Sequence, residues 1–185
     1  PATTSKRPSG QASASNPAKM PLASDALPVL LSAVKAIEKH FAQANAPGAT
    51  KSVETLGSDQ KNKEIAVLVR GQLCTALSRV LLHGFKSFKL IGRYHIWDFV
   101  QQSCDATHER RQASKQYTAA ELTLTSAVVD VNSHEGMANN PNIKFRSFVC
   151  CGLNHGLLHD WVRVLTDDDE TMNKFYEAWA FVRAT

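Results

Sequence analysis

Apolar residues recur along this chain at three- and four-residue intervals, with no sustained alternation of the kind a strand needs. Leu27, Leu30, Leu31, Val34, Ile37 and Phe41 keep the helical period across Ala26–Ala44, which predicts an opening helix with that row as its buried face. Pro28 falls in the first turn, where its missing N–H has no partner to lose, and Ser24 or Asp25 can cap the start. Residues 46–58 contain Pro47, Gly48 and Gly57 and read as a loop. A second helix over about 59–82 begins polar and turns mostly apolar, the pattern of a central core helix. A third follows over about 95–103, with Trp97 expected as a core anchor. Residues 104–117 are charged and irregular, either a mobile connection or a helical extension.

The later part of the chain is punctuated by caps. Thr118-Ala119-Ala120-Glu121 fits the capping box, in which the threonine oxygen accepts from the third amide and the glutamate reaches back, so a helix should run from there to about Val131. Residues 132–140 read as a loop. Asn140 then serves as cap and Pro141 as first helical residue. Gly156 should divide residues 143–155 from 157–165. Thr166 is expected to cap a closing helix whose first turn, Asp167 to Glu170, faces the positive end of the helix dipole; that accounts for the acidic run without calcium. The fold class is all-α, without an internal repeat at fixed period.

Composition and charge narrow the function. The formal charge of +4 points to nucleic acid only until it is divided along the chain: residues 1–24 carry Lys6, Arg7 and Lys19 and no acid. The remainder is near neutral, and no helix has the basic density that phosphate-backbone binding requires, so nucleic acid is not expected as a partner. Residues 1–23 are rich in Ser, Ala and Pro with few large apolar groups; they read as a disordered basic tail or linker ahead of one domain over 24–185. A chain that starts at Pro1 reads as a piece of a longer protein. No apolar run reaches the ~18 residues of a membrane span and no secretory signal is visible, so direct membrane insertion is not expected. Cys74, Cys104, Cys150 and Cys151 read as free thiols of a reducing compartment rather than a disulfide framework.

Candidate chemistry is thin. Cys151, His155 and His159 are spaced as zinc ligands on a helix, but Gly156 breaks the helix between the histidines and no fourth ligand pattern accompanies them, so no metal or cofactor is expected. Neither a nucleophile elbow nor a phosphate loop is present, and no cysteine can be placed beside a histidine, which argues against an enzyme. The basic stretch after His83 is more informative: Lys86, Lys89 and Arg93 are interleaved with Phe85, Phe88 and Tyr94, and Lys144 and Arg146 open the helix after Pro141. Two residues apart, Lys144 and Arg146 diverge by about 200° around a helix. A basic, aromatic-studded rim suits docking of an acidic protein partner.

Four blocks in order carry a family resemblance: LPVLLSAVKAIEKHF, LCTALSRVLLHGFK, IGRYHIWDFV and KFRSFVCCGLNHGLLHDWVRVL, followed by FYEAWAF. Together, from about Leu27 to Arg183, they resemble the RUN domain. That resemblance implies a compact bundle of roughly eight helices, with no cofactor and with FYEAWAF in the last helix. It also implies a non-catalytic adaptor that binds a GTP-loaded small GTPase of the Rab, Rap or Arf-like type in vesicle or organelle traffic. Such a domain would be cytoplasmic and peripheral to endosomal, Golgi or other vesicle membranes through its partners. The alternative is a nucleotide-independent scaffold for a kinesin or other motor component, a kinase or a partner helix. Carried over by motif, the partner-binding positions are His83, Lys86, Lys144 and Arg146, with Lys89 added from the basic loop. The late block departs from the family's usual Gly-Arg-x-Arg-Trp pattern: Asn142-Ile143-Lys144-Phe145-Arg146 precede Ser147-Phe148.

Overall fold

The computed structural model describes residues 25–44, 56–87, 92–134, 136 and 140–184. Among these, every regular element is helical: α1 (Ala26–Ala44), α2 (Leu56–Val67), α3 (Cys74–Leu81), α4 (Ile96–Ser114), α5 (Ala119–Ser133), α6 (Pro141–Asn154), α7 (Leu158–Leu165) and α8 (Asp169–Phe175). A π-helical turn, Leu68–Leu73, joins α2 to α3 without a break, so the two form one rod and the described residues build seven rods. A 3-10 turn, Phe181–Arg183, closes the chain.

The caps fall close to where the sequence places them. The Thr118 side chain accepts from the Glu121 N–H and Glu121 accepts from the Thr118 N–H, at 3.2 and 2.7 Å. Asn140 Oδ1 accepts from the amides of Asn142 and Ile143. His95 heads α4: its Nδ1 accepts from the Trp97 N–H, while Asp98 accepts from the His95 N–H. The charged stretch after Cys104 continues α4 to Ser114, where Lys115 ends it in the left-handed conformation. Gly156, at φ +67°, separates α6 from α7.

Four expectations need correction. The loop expected through residue 58 ends sooner, because α2 starts at Leu56. Thr166 caps the end of α7, donating its hydroxyl to the Val162 and Arg163 carbonyls; the cap of α8 is Asp168, which accepts from the Thr171 N–H at 2.8 Å. FYEAWAF is not a helix. α8 stops at Phe175, Tyr176 is extended, and Tyr176 forms a short antiparallel bridge with Phe85.

The fourth correction concerns α1, whose buried row is Val29, Leu30, Ala33 and Ile37, packed on Leu73, Ala76 and Leu77. Leu27, Leu31, Val34 and Phe41, expected inside, are exposed. At about 100° per residue, the four exposed residues lie within an ~80° arc centred ~120° from Ala33. Ala33 on α1 and Ala76 on α3 are small enough for the two helices to approach closely, and that contact, rather than the largest apolar row, decides which side turns inward.

The main core lies among α3 to α8. Trp161, Tyr176, Phe99, Phe148 and Phe175 are its largest fully buried side chains, and Trp97 is 3% exposed with its indole N–H on Asn132. Gly152 sets the spacing of α6 and α7: a Cβ there would come within 2.9 Å of Leu158 and 3.0 Å of Trp161.

Candidate partner-docking surface

The His83 turn is built against the end of the chain. Gly84 sits at φ +70°, and a Cβ on it would lie 2.7 Å from the Ala180 Cβ, so only glycine lets the two backbones meet. Its carbonyl accepts from the Glu177 N–H at 2.8 Å, and the Lys86 N–H donates to the Phe175 carbonyl at 2.7 Å. His83 stacks on Phe181 at 3.9 Å, meets Trp179 edge-on at 5.0 Å, and accepts the Phe181 N–H at Nδ1. Trp179 remains 51% exposed. An aromatic anchor thus stands beside the turn on a segment that the family resemblance places in a helix. Trp179 sits in a turn closed by the Ala180 N–H on the Glu177 carbonyl, and its ring leans on His83 rather than on a helical neighbour.

The five residues predicted from sequence have different fates. His83 is half-buried in the aromatic stack. Lys86 donates its ammonium to the Asn173 carbonyl at 2.9 Å, in the last turn of α8, where a cation offsets the negative helix end. Lys144 donates to Asn132 Oδ1 at 2.8 Å, the same oxygen that accepts from Trp97. Arg146 is exposed on the other side of α6, the divergence expected from their spacing. Lys89 lies outside the described residues. Lys86 and Lys144 are therefore tethered to different elements, Lys86 to α8 and Lys144 to the end of α5. The start of α6 also joins the start of α4, through His95 and Asn142 at 3.0 Å.

A second surface is the exposed row of α1, which the periodicity places inside. Leu31 and Phe41 are 56% and 52% exposed, with Lys35 and Lys39 beside them. The periodicity revealed the row but not which way it faces.

Among the described residues Glu121 is the one buried charged side chain. Burial works to raise the Glu121 carboxyl, but the Thr118 N–H and the Arg111 guanidinium outweigh it and hold the group below its ordinary value. Arg111 meets Glu121 at 2.7 Å. Hydrogen bonds from Thr171 hold Asp168 low in the same way. Cys151, His155 and His159 do not converge: His155 ends α6, and the His159 imidazole pairs with Asp160 at 3.2 Å. Among the described residues no three His, Cys, Asp or Glu side chains cluster as a metal site, and no helix is long and apolar enough to cross a membrane.

The sequence model of the RUN domain matches residues 72–185, from the π-turn to the end of the chain. Small G protein signaling modulator 3 of Bos taurus and of Homo sapiens are each 33% identical to this chain over 154 residues, covering 73% of it. The Xenopus laevis homologue is 30% identical over the same length. The chain spans about a fifth of the length of these relatives, at 20% of each. The matching family, the RUN domain, is a non-catalytic interaction module.

Proposed function

Since the chain belongs to the RUN domain family, we propose that it is a non-catalytic docking domain for a GTP-loaded small GTPase of the Rab, Rap or Arf-like type. The observation that carries this reading is the similarity to small G protein signaling modulators, whose name assigns them to small G proteins. The geometry of the His83 turn supports it. Exposed Trp179 against His83 supplies the kind of large aromatic anchor that dominates interface energetics, and exposed Arg146 supplies a cation to steer an acidic partner. In this reading the domain acts in the cytoplasm, held at vesicle or organelle membranes through its partner rather than by insertion.

A pull-down against a panel of small GTPases in GDP and GTP-analogue states tests it. Capture of one GTPase in its GTP state is expected, weakened by about 1–3 kcal/mol in Trp179→Ala and Arg146→Glu. Lys86→Glu should weaken capture too, with a modest loss of stability because its ammonium also closes α8. Equal capture of both nucleotide states, or unchanged capture by all three variants, rejects the reading.

A second reading rests on α1. The exposed row Leu27, Leu31, Val34 and Phe41 matches what an amphipathic partner helix buries, so a nucleotide-independent scaffold role for a motor component or kinase segment is the alternative. Leu31→Ser and Phe41→Ser should then abolish capture that ignores the nucleotide.

A further inference from the structure

A cavity of about 480 Å³ opens between α1, α3, α4, α6, α7 and the closing 3-10 turn. Its inner wall belongs to the main core: Phe99, Val100 and Phe148 line it and are at most 2% exposed. Leu27 of α1 lines the same space from the surface, where it is 51% exposed. The space therefore runs from solvent into the core. Close-packed interiors hold few voids larger than a water molecule. A volume in the range of ~300–1,000 Å³, an apolar lining and a few placed polar groups are the marks of a small-molecule site.

The polar groups come from α7 and its cap. Leu158, Val162 and Leu165 line the cavity, and so does the residue after each of them, His159, Arg163 and Thr166. His159 and Arg163 are exposed, so this second row stands at the mouth. No carboxylate lines the cavity among the described residues. The His159 imidazole is already held on Asp160 at 3.2 Å, and the Thr166 hydroxyl is donated to the Val162 and Arg163 carbonyls. The Arg163 guanidinium makes no ion pair or hydrogen bond with another described side chain. One cation thus stands at the entrance of an apolar space.

We propose that this cavity binds a long-chain fatty acid, with the hydrocarbon chain among Phe99, Val100 and Phe148 and the carboxylate at the mouth on Arg163. Burying the chain removes apolar surface from water, and an apolar cavity of this kind takes up apolar guests. The charged head cannot follow it inward, because the inner wall offers no group to replace its hydration. At the rim the planar guanidinium fork matches both carboxylate oxygens. An uncharged chain would fill the same space but leave Arg163 without a role, so the rim selects an acid over an alcohol or a hydrocarbon. The site is separate from the GTPase reading and does not depend on it.

The test uses the whole chain and displacement of cis-parinarate, a fluorescent fatty acid, by myristate or by myristyl alcohol. One saturable site per chain is expected, with myristate bound about ten-fold or more tightly than the alcohol, the span of one charge-assisted contact. Arg163→Gln should bring myristate to the level of the alcohol and leave the alcohol unchanged. Val162→Trp, placed to fill the cavity, should abolish both, whereas Leu31→Ser on the exposed row of α1 should change neither. Absence of saturable binding, or equal affinity of wild type for acid and alcohol, overturns the proposal without any variant having to fold. Binding that is lost in Leu31→Ser places the chain on the surface of α1, and binding that appears only after deletion of residues 1–23 gives the cavity to that segment; either result overturns it.

Discussion

Gly84 shows how one residue can decide a junction. Its positive φ and the 2.7 Å approach to the Ala180 Cβ leave no room for a side chain, because the neighbour is held by the Gly84–Glu177 and His83–Phe181 bonds. Gly84→Ala should cost about 3 kcal/mol in urea unfolding, from left-handed strain and the forced separation of two backbones. Glu121 is a second such residue, and here the sign of its pH dependence follows from its environment. Its carboxyl is held below the ordinary value in the folded state, so its contribution is complete above the unfolded value of about 4.3 and is lost as pH falls through the folded value. Glu121→Gln should remove about 2 kcal/mol at neutral pH and flatten the loss of stability below pH ~4, read by thermal melting across pH. The capping box made Glu121 legible in the sequence. The Arg111 partner was not, because it lies beyond a helix end whose direction only packing fixes.

At the scale of elements, α1 separates two kinds of information. Its limits were readable, since caps, prolines and periodicity act locally. Its orientation was not, since the buried side is chosen by the surface it meets. Ala33 stands on Leu73 and Ala76, where small side chains permit close approach, and the larger Leu31 and Val34 remain outside. Ala33→Leu should therefore destabilise the domain by about 1–3 kcal/mol, while Leu31→Ser should change stability by less than ~0.5 kcal/mol. Chemical denaturation of both variants checks which face packs. The π-turn was equally hidden. Leu68–Leu73 reads as a plain continuation of the helix, and its changed hydrogen-bond register has no signature in the spacing of apolar residues. FYEAWAF lies in a helix by family resemblance, yet Tyr176 is extended and pairs with Phe85 and Gly84 accepts from Glu177, bonds that a continuing helix cannot make.

For the whole molecule, the core formed by α3 to α8 is supplied from within the described residues, so the first twenty residues should be dispensable. Deleting residues 1–20 is expected to leave helical circular dichroism and melting cooperativity nearly unchanged; a loss above about 2 kcal/mol would mean that this segment packs on the domain. By itself the sequence determined the all-α class, five of the helix starts or caps, the burial of Trp97 and the family, because each depends on local propensity, spacing or an ordered set of blocks. Only the tertiary structure decided that Lys86 and Lys144 are tethered to α8 and to the end of α5, and that Trp179 stands beside His83. These are contacts between residues far apart in the chain. No local pattern encodes them, because each depends on which faces the helices turn toward one another when the core closes.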